Sequence, residues 1–233
     1  MPTDGQPSRP RSAQCHGPAP PRPSSTRSAA HHHLPRSPGT AGSPNRIAYD
    51  GQLVSGTPAE ARSLLVSRMF FPTPGVPFIF VDVAGKSAKA PSMSHFNENE
   101  ISACLGVLRK LLGLGIAPQD ICVITFYREQ YRQMRPHAEQ YNVELTTVDS
   151  VQGREKEVVL LLTTKTNFNP DAATFINDYR RLNVATTRCR HGQFVFGHAK
   201  SLRALPTWNT LLQWAYSLRA VVTQSQVLRY FEP

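Results

Sequence analysis

Residues 121–163 read ICVITFYREQYRQMRPHAEQYNVELTTVDSVQGREKEVVLLLT, and this stretch decides the fold. It opens on an apolar, β-branched run at 121–126, which predicts a buried strand. Residues 127–141 carry a helical pattern that Pro136 is expected to shorten or kink. Residues 143–148 and 158–163 read as two further strands. Strands that alternate with helices predict a parallel sheet with right-handed crossovers.

The alternation continues on both sides. Residues 76–83 (VPFIFVDV) form another apolar run, closed by Ala84 and Gly85, and predict a buried strand. Residues 97–114 place Ile101, Leu105, Leu108, Leu111 and Leu112 at helical spacing. Glu98 and Glu100 suit the start of that helix, and Gly113 and Gly115 suit its end. Downstream, residues 179–188 predict a short helix, 193–197 (QFVFG) the last strand, and 211–218 a closing helix near Trp208 and Trp214. The expectation is an α/β domain over residues 47–216, with a mostly parallel sheet flanked by helices. Residues 217–233 form a C-terminal extension without an assignable pattern.

The 233 residues suit one or two domains. With 26 Lys and Arg against 16 Asp and Glu, the formal charge is +10, which points to a polyanion partner. About half of that charge sits in residues 1–46, with six Arg, ten Pro and a single large apolar residue after Met1, Leu34. Such a segment cannot bury enough apolar surface to offset chain entropy, so a disordered N-terminal tail is expected. The run His31-His32-His33 has no scaffold to hold a metal. No apolar run reaches about 18 residues, so no membrane span is expected, and Met1 opens no secretory leader. Cys15, Cys104, Cys122 and Cys189 lie far apart, which argues against a disulfide framework and for a reducing compartment, nucleus or cytoplasm.

In a parallel α/β sheet, ligands gather beyond the C-terminal ends of strands. Three loops beside the predicted strands are unusually polar: Tyr127-Arg128-Glu129-Gln130, then 149–155 (DSVQGRE), then the segment from Arg180 to Arg190. Arginine forks suit phosphate oxygens because one guanidinium binds two at once. Glutamine and glutamate suit ribose hydroxyls or a positioned water. Solvated loops and ion pairs are the plainer alternative for each loop taken alone.

Taken together, the three loops resemble the second RecA-like domain of superfamily 1B helicases, of the nonsense-mediated-decay helicase and senataxin type. VITFYREQ resembles motif IV, TTVDSVQGREKEVV motif V, and RRLNVATTRCRHG motif VI. Tyr49-Asp50-Gly51-Gln52-Leu53 resembles the segment on which that domain begins. The resemblance implies a RecA-like, P-loop NTPase-type fold. It implies that Arg188 is an arginine finger for the γ-phosphate of an ATP held by another RecA-like domain. Glu155 matches the motif V acid near ribose and γ-phosphate, and Gln152 and Gly153 match the loop linking nucleotide state to nucleic-acid grip. Tyr127 and Gln130 match motif IV positions on the nucleotide side. Thr125, Asp149 and Ser150 fall in the segments expected near the nucleic-acid backbone, and Arg190 is read as either a phosphate contact or surface charge. Arg181 and Asn183 are expected to brace the motif VI helix.

This sequence departs from the family pattern in motif IV. Phe126 stands where a proline is common, and Tyr131 where some members carry a second finger. Either Arg128 or Arg132 takes that role, or the domain supplies one finger only. Gly85-Lys86-Ser87 follows a strand, but the first glycine of a phosphate loop would have to be Phe80. Asp82-Val83 is no Asp-Glu pair for Mg²⁺. The expected function is therefore the C-terminal motor half of an ATP-dependent RNA or DNA helicase. It would use ATP and Mg²⁺ only when completed by a first RecA-like domain, in cis or in trans, on single-stranded nucleic acid. The alternative is a non-catalytic module that binds nucleic acid or a helicase partner.

Overall fold

A computed structural model describes residues 63–151 and 155–232. The tail over 1–46, the segment 49–53, and Gln152, Gly153 and Arg154 lie outside the described residues. A short helix, α1 (Ser63–Val66), leads to strand β1 (Phe78–Asp82). A small antiparallel hairpin follows, β2 (Ala88–Lys89) and β3 (His95–Phe96). Then come α2 (Glu98–Gly113), β4 (Ile121–Thr125), α3 (Arg128–Tyr141), β5 (Glu144–Thr147) and β6 (Lys156–Leu162). The chain continues through α4 (Tyr179–Thr186), β7 (Cys189–Gly197), α5 (Ala199–Leu202) and α6 (Pro206–Ser217). It ends on β8 (Val221–Thr223), α7 (Gln224–Val227) and a 3-10 turn over Leu228–Phe231.

Six strands form one sheet in the order β5-β4-β6-β7-β1-β8, and every pairing is parallel. Both faces are covered, which is why its central strands read as unbroken apolar runs. Alternate residues of each strand serve opposite faces. Ile79, Val81, Val123 and Leu160 pack with Leu105 and Leu108 of α2 and Met134 of α3. Phe78, Phe80, Ile124 and Leu161 pack with Leu182 of α4 and Trp208 and Leu211 of α6.

Asn97 caps α2, its side-chain oxygen accepting the amides of Asn99 and Glu100. The helix closes as predicted: Gly115 takes a left-handed φ of +76°, and its amide reaches the Leu112 carbonyl. Three expectations are corrected or narrowed. Of the two effects expected of Pro136, shortening does not occur, and α3 runs on to Tyr141. Pro136 and Arg132 are both exposed, so water can satisfy the Arg132 carbonyl that the proline leaves without a donor. The helix predicted over 179–188 stops at Thr186. Side-chain donors take its last carbonyls: Thr186 bonds to Leu182, Thr187 to Asn183 and Arg188 to Val184. Lastly, QFVFG belongs to a nine-residue strand and is not the last one. Val221–Thr223 adds β8 beside β1, and a strand of three residues is too short to leave a periodic signal.

Candidate functional site

The parallel sheet has two ends, and the candidate residues divide between them. Asp149 and Ser150 follow β5 at the C-terminal end of the sheet. Glu155 precedes β6 at the N-terminal end. Thr147 is level with Thr125 and Leu162, whereas Lys156 starts six residues lower on β6. At about 3.3 Å per residue, the two ends are about 20 Å apart.

The C-terminal end holds a cleft of about 460 Å³ between β4 and β5, lined among others by Tyr127, Arg128, Thr147, Asp149, Ser150 and Phe175. The Tyr127 ring lies edge-on to His95 at 5.5 Å and tilted against Phe175 at 5.4 Å. Burial pushes the Tyr127 phenol above its ordinary range, with the Glu100 carboxyl adding to the effect, so its hydroxyl stays neutral. Arg181 ties motif V to motif VI. Its Nε donates to Asp149 at 2.7 Å, its other arm reaches Asp178 at 3.2 Å, and its guanidinium lies 4.2 Å from the Phe175 ring centre. A cleft with aromatic faces, hydroxyls and cations suits stacked bases and their phosphates.

Behind the cleft is a buried polar knot. Gln130 is fully buried, and its carboxamide is used at both ends by one residue. It accepts from the Asn97 amide at 2.7 Å and donates to the Asn97 carbonyl at 3.2 Å. Asn97 in turn donates to the Thr164 carbonyl. Glu100, also fully buried, accepts from the Thr164 amide at 2.7 Å and from the Thr163 hydroxyl at 3.3 Å. Desolvation dominates there and pushes the Glu100 carboxyl up to about 8. Thr125 is fully buried, and its hydroxyl bonds to the Tyr127 carbonyl. Gln130 and Thr125, matched respectively to nucleotide and nucleic-acid positions, therefore support the cleft from behind and do not line it.

At the N-terminal end, the Lys156 amide donates to the Arg188 carbonyl at 2.8 Å. Arg188 is half-buried, and its Nε is fixed on the Val184 carbonyl at 3.1 Å. Its two outer guanidinium nitrogens have no partner among the described residues. Glu155 is exposed, 3.8 Å from Nε of Arg190. Arg190 also pairs with Glu157 at 2.9 Å, and Glu157 holds His191 at 2.8 Å.

The structure thus regroups the predicted residues. Tyr127, matched to the nucleotide side, lies with Asp149 and Ser150. Arg190, read as either a phosphate contact or surface charge, lies with Glu155 at the other end. Gly85-Lys86-Ser87 leads into β2, where a phosphate loop needs a helix N-terminus. Phe175 was not singled out from the sequence. Its one signal is an aromatic residue in the pattern-free stretch after a strand's C-terminal end. Among the described residues, no three His, Cys, Asp or Glu side chains gather as a metal site, and no helix is long and apolar enough to cross a membrane.

A family model described as "AAA domain" matches residues 38–200. Regulator of nonsense transcripts 1 of Dictyostelium discoideum is 35% identical over 179 residues, covering 72% of this chain and 13% of that protein. ATP-dependent helicase NAM7 of Saccharomyces cerevisiae is 33% identical over 179 residues, covering 72% and 18%. The regulator of nonsense transcripts 1 homolog of Drosophila melanogaster is 32% identical over 194 residues, covering 79% and 16%. The chain spans less than a fifth of the length of these relatives. The chain belongs to the AAA domain family, as a second RecA-like domain of the superfamily 1 helicase type.

Proposed function

We propose that this chain is the arginine-finger half of an ATP-driven helicase acting on single-stranded RNA or DNA, completed by a first RecA-like domain in cis or in trans. The observation that carries the reading is the state of Arg188. One face of its guanidinium is anchored on Val184, and the outer nitrogens are without a partner among the described residues. A fork held in that way fits γ-phosphate oxygens presented by a facing domain. ATP, when bound, supplies the phosphoryl group whose transfer drives the motor. Arg188 would neutralise charge on that group, with exposed Glu155 beside it for ribose or a positioned water, and Gln152 and Gly153 carry the motif V likeness that links nucleotide state to nucleic-acid grip. Mg²⁺ would be held by the phosphates and the facing domain.

The nucleic acid would lie at the other end of the sheet, against Tyr127, Asp149 and Ser150. The connection from Ser150 to Glu155 joins the two ends, so a change at the nucleotide would be felt at the strand. Arg190, held between Glu155 and Glu157, serves in this reading to orient the acid. A reducing compartment, nucleus or cytoplasm, suits Cys104 and Cys122, buried thiols without a disulfide; burial pushes that of Cys122 up to about 12.

The test is Arg188→Ala in the assembled protein, read by ATP turnover and ATP binding. Turnover should collapse while binding persists, and unchanged turnover overturns the finger. The placement of Gly85-Lys86-Ser87 before a strand favours a second reading, a module that binds nucleic acid or a helicase without hydrolysis. In that case Arg188→Ala would only soften nucleic-acid affinity.

A further inference from the structure

The hairpin of β2 and β3 stands beside the cleft and carries a set of cations that the finger and the cleft leave unused. Ser87 and Thr166 exchange hydrogen bonds, the Ser87 amide to the Thr166 hydroxyl at 2.8 Å and the Thr166 amide to the Ser87 hydroxyl at 3.0 Å. This pair draws Lys86 and Lys165, each one residue earlier, onto adjacent loops. Lys89 is the register partner of His95 across the hairpin. Lys86 and Lys89 are exposed, and Lys165 lies half-buried, 5.4 Å from the Phe168 ring centre.

No carboxylate pairs with any of these three lysines among the described residues. Two of the three acids at the starts of the neighbouring helices are engaged elsewhere, Glu129 by Arg132 and Gln133 and Glu100 by Thr163 and Thr164, and the third, Glu98, is exposed and pairs with none of these lysines. Like charges gathered without a counter-ion repel, and an arriving polyanion relieves that repulsion. The convergence is visible in their proton affinities. His95 is lowered by burial and by Lys165 and Lys89, and Lys165 is lowered by burial and by Lys89.

The cluster is continuous with the cleft: Lys89 is paired in register with His95, and ring contacts lead on from His95 to Tyr127, from Tyr127 to Phe175, and from Phe175 to Arg181. Cations alternating with aromatic faces match a chain of phosphates that carries stackable bases, whereas an acidic peptide would leave the rings unused. We propose that Lys86, Lys89 and Lys165 form a second phosphate-binding station that extends the single-strand track from the Tyr127–Phe175 cleft onto the β2–β3 hairpin. The proposal rests on reading that cleft as the nucleic-acid track.

The test measures binding of the full chain to a fluorescent oligouridylate and to an oligothymidylate, by anisotropy over a salt series. The Lys86→Gln, Lys89→Gln, Lys165→Gln triple variant should flatten the dependence of log affinity on log salt by about 2, at about 0.7 per phosphate contact on a single strand. Tyr127→Ala should weaken binding by roughly 5- to 150-fold with the slope unchanged. The Lys86→Gln, Lys89→Gln double variant alters exposed side chains only, and its slope change of about 1.4 decides the question if the triple variant does not fold. An unchanged lysine slope together with a Tyr127→Ala loss overturns the station and leaves the cleft standing. No binding by the parent chain, or binding untouched by either change, overturns the cleft reading and the station with it. Equal binding and competition by polyglutamate shows that the occupant is wrong.

Discussion

The Lys156 amide donates to the Arg188 carbonyl at 2.8 Å, so the start of β6 is bonded to the residue that enters β7. Glu155 and Arg188 are thereby set side by side at one end of the sheet, from positions 33 residues apart in sequence. Motif V and motif VI meet through the backbone, and substitution of either side chain leaves that bond in place.

Arg188→Ala in a complete helicase is accordingly expected to fold normally and to lose about 10³-fold or more in ATP turnover. Arg188→Lys should recover little. An ammonium cannot fork onto two oxygens, and Nε no longer holds the Val184 carbonyl. Steady-state ATPase rates with a separate ATP-binding measurement decide this, and a lysine variant near parental turnover would sink the forked-finger account.

Gln130→Ala should cost about 1–3 kcal/mol of stability, because it strands the buried amide of Asn97, whose carbonyl still keeps the Ile101 amide as a donor. Urea denaturation of the chain without nucleotide reads this directly. Unaltered stability with weakened nucleotide binding would restore Gln130 to the nucleotide side.

Stability should depend on pH through Glu100. Its folded value of about 8 lies above the ordinary 4.5, so between these values the native state keeps a proton that the unfolded chain releases. The contribution is full below about 4.5 and is lost as pH rises through about 8, with a slope of up to about 1.4 kcal/mol per pH unit. Glu100→Gln keeps an acceptor for the Thr164 amide and removes the titration. Its denaturation midpoints should therefore diverge upward from the parent's as pH rises. Parallel curves would show that Glu100 is ionised in the fold.

Pro136→Ala should stabilise the chain by about 1–3 kcal/mol. The residue is exposed inside α3, where proline removes one helical hydrogen bond and gains no packing. Thermal denaturation checks this. A lowered midpoint would mean that α3 is bent at Pro136 to fit its neighbours.

The elements most legible in the sequence were those buried on both faces. ICVITF and VPFIFVDV read as strands because the sheet covers both their sides with helices, and α2 read as a helix because one stripe of it meets the core. β8 was not legible, because its place depends on β1 being there to pair with. Gln130 read as a ligand contact because nothing local to motif IV indicates that Asn97, 33 residues earlier, takes both ends of its amide.

The sequence by itself determined the alternation of strand and helix, the parallel sheet, and the motifs that carry the helicase likeness. Periodicity and residue type are local properties, and they persist whatever the chain packs against. Only the tertiary structure decided which motif residues share a site. Asp149 and Glu155 are six positions apart, yet they stand at opposite ends of the sheet. Strands β5 and β6 run the same way on either side of β4, and the chain must travel a strand's length between them. That direction places Tyr127 with Asp149 and Ser150, and Arg190 with Glu155.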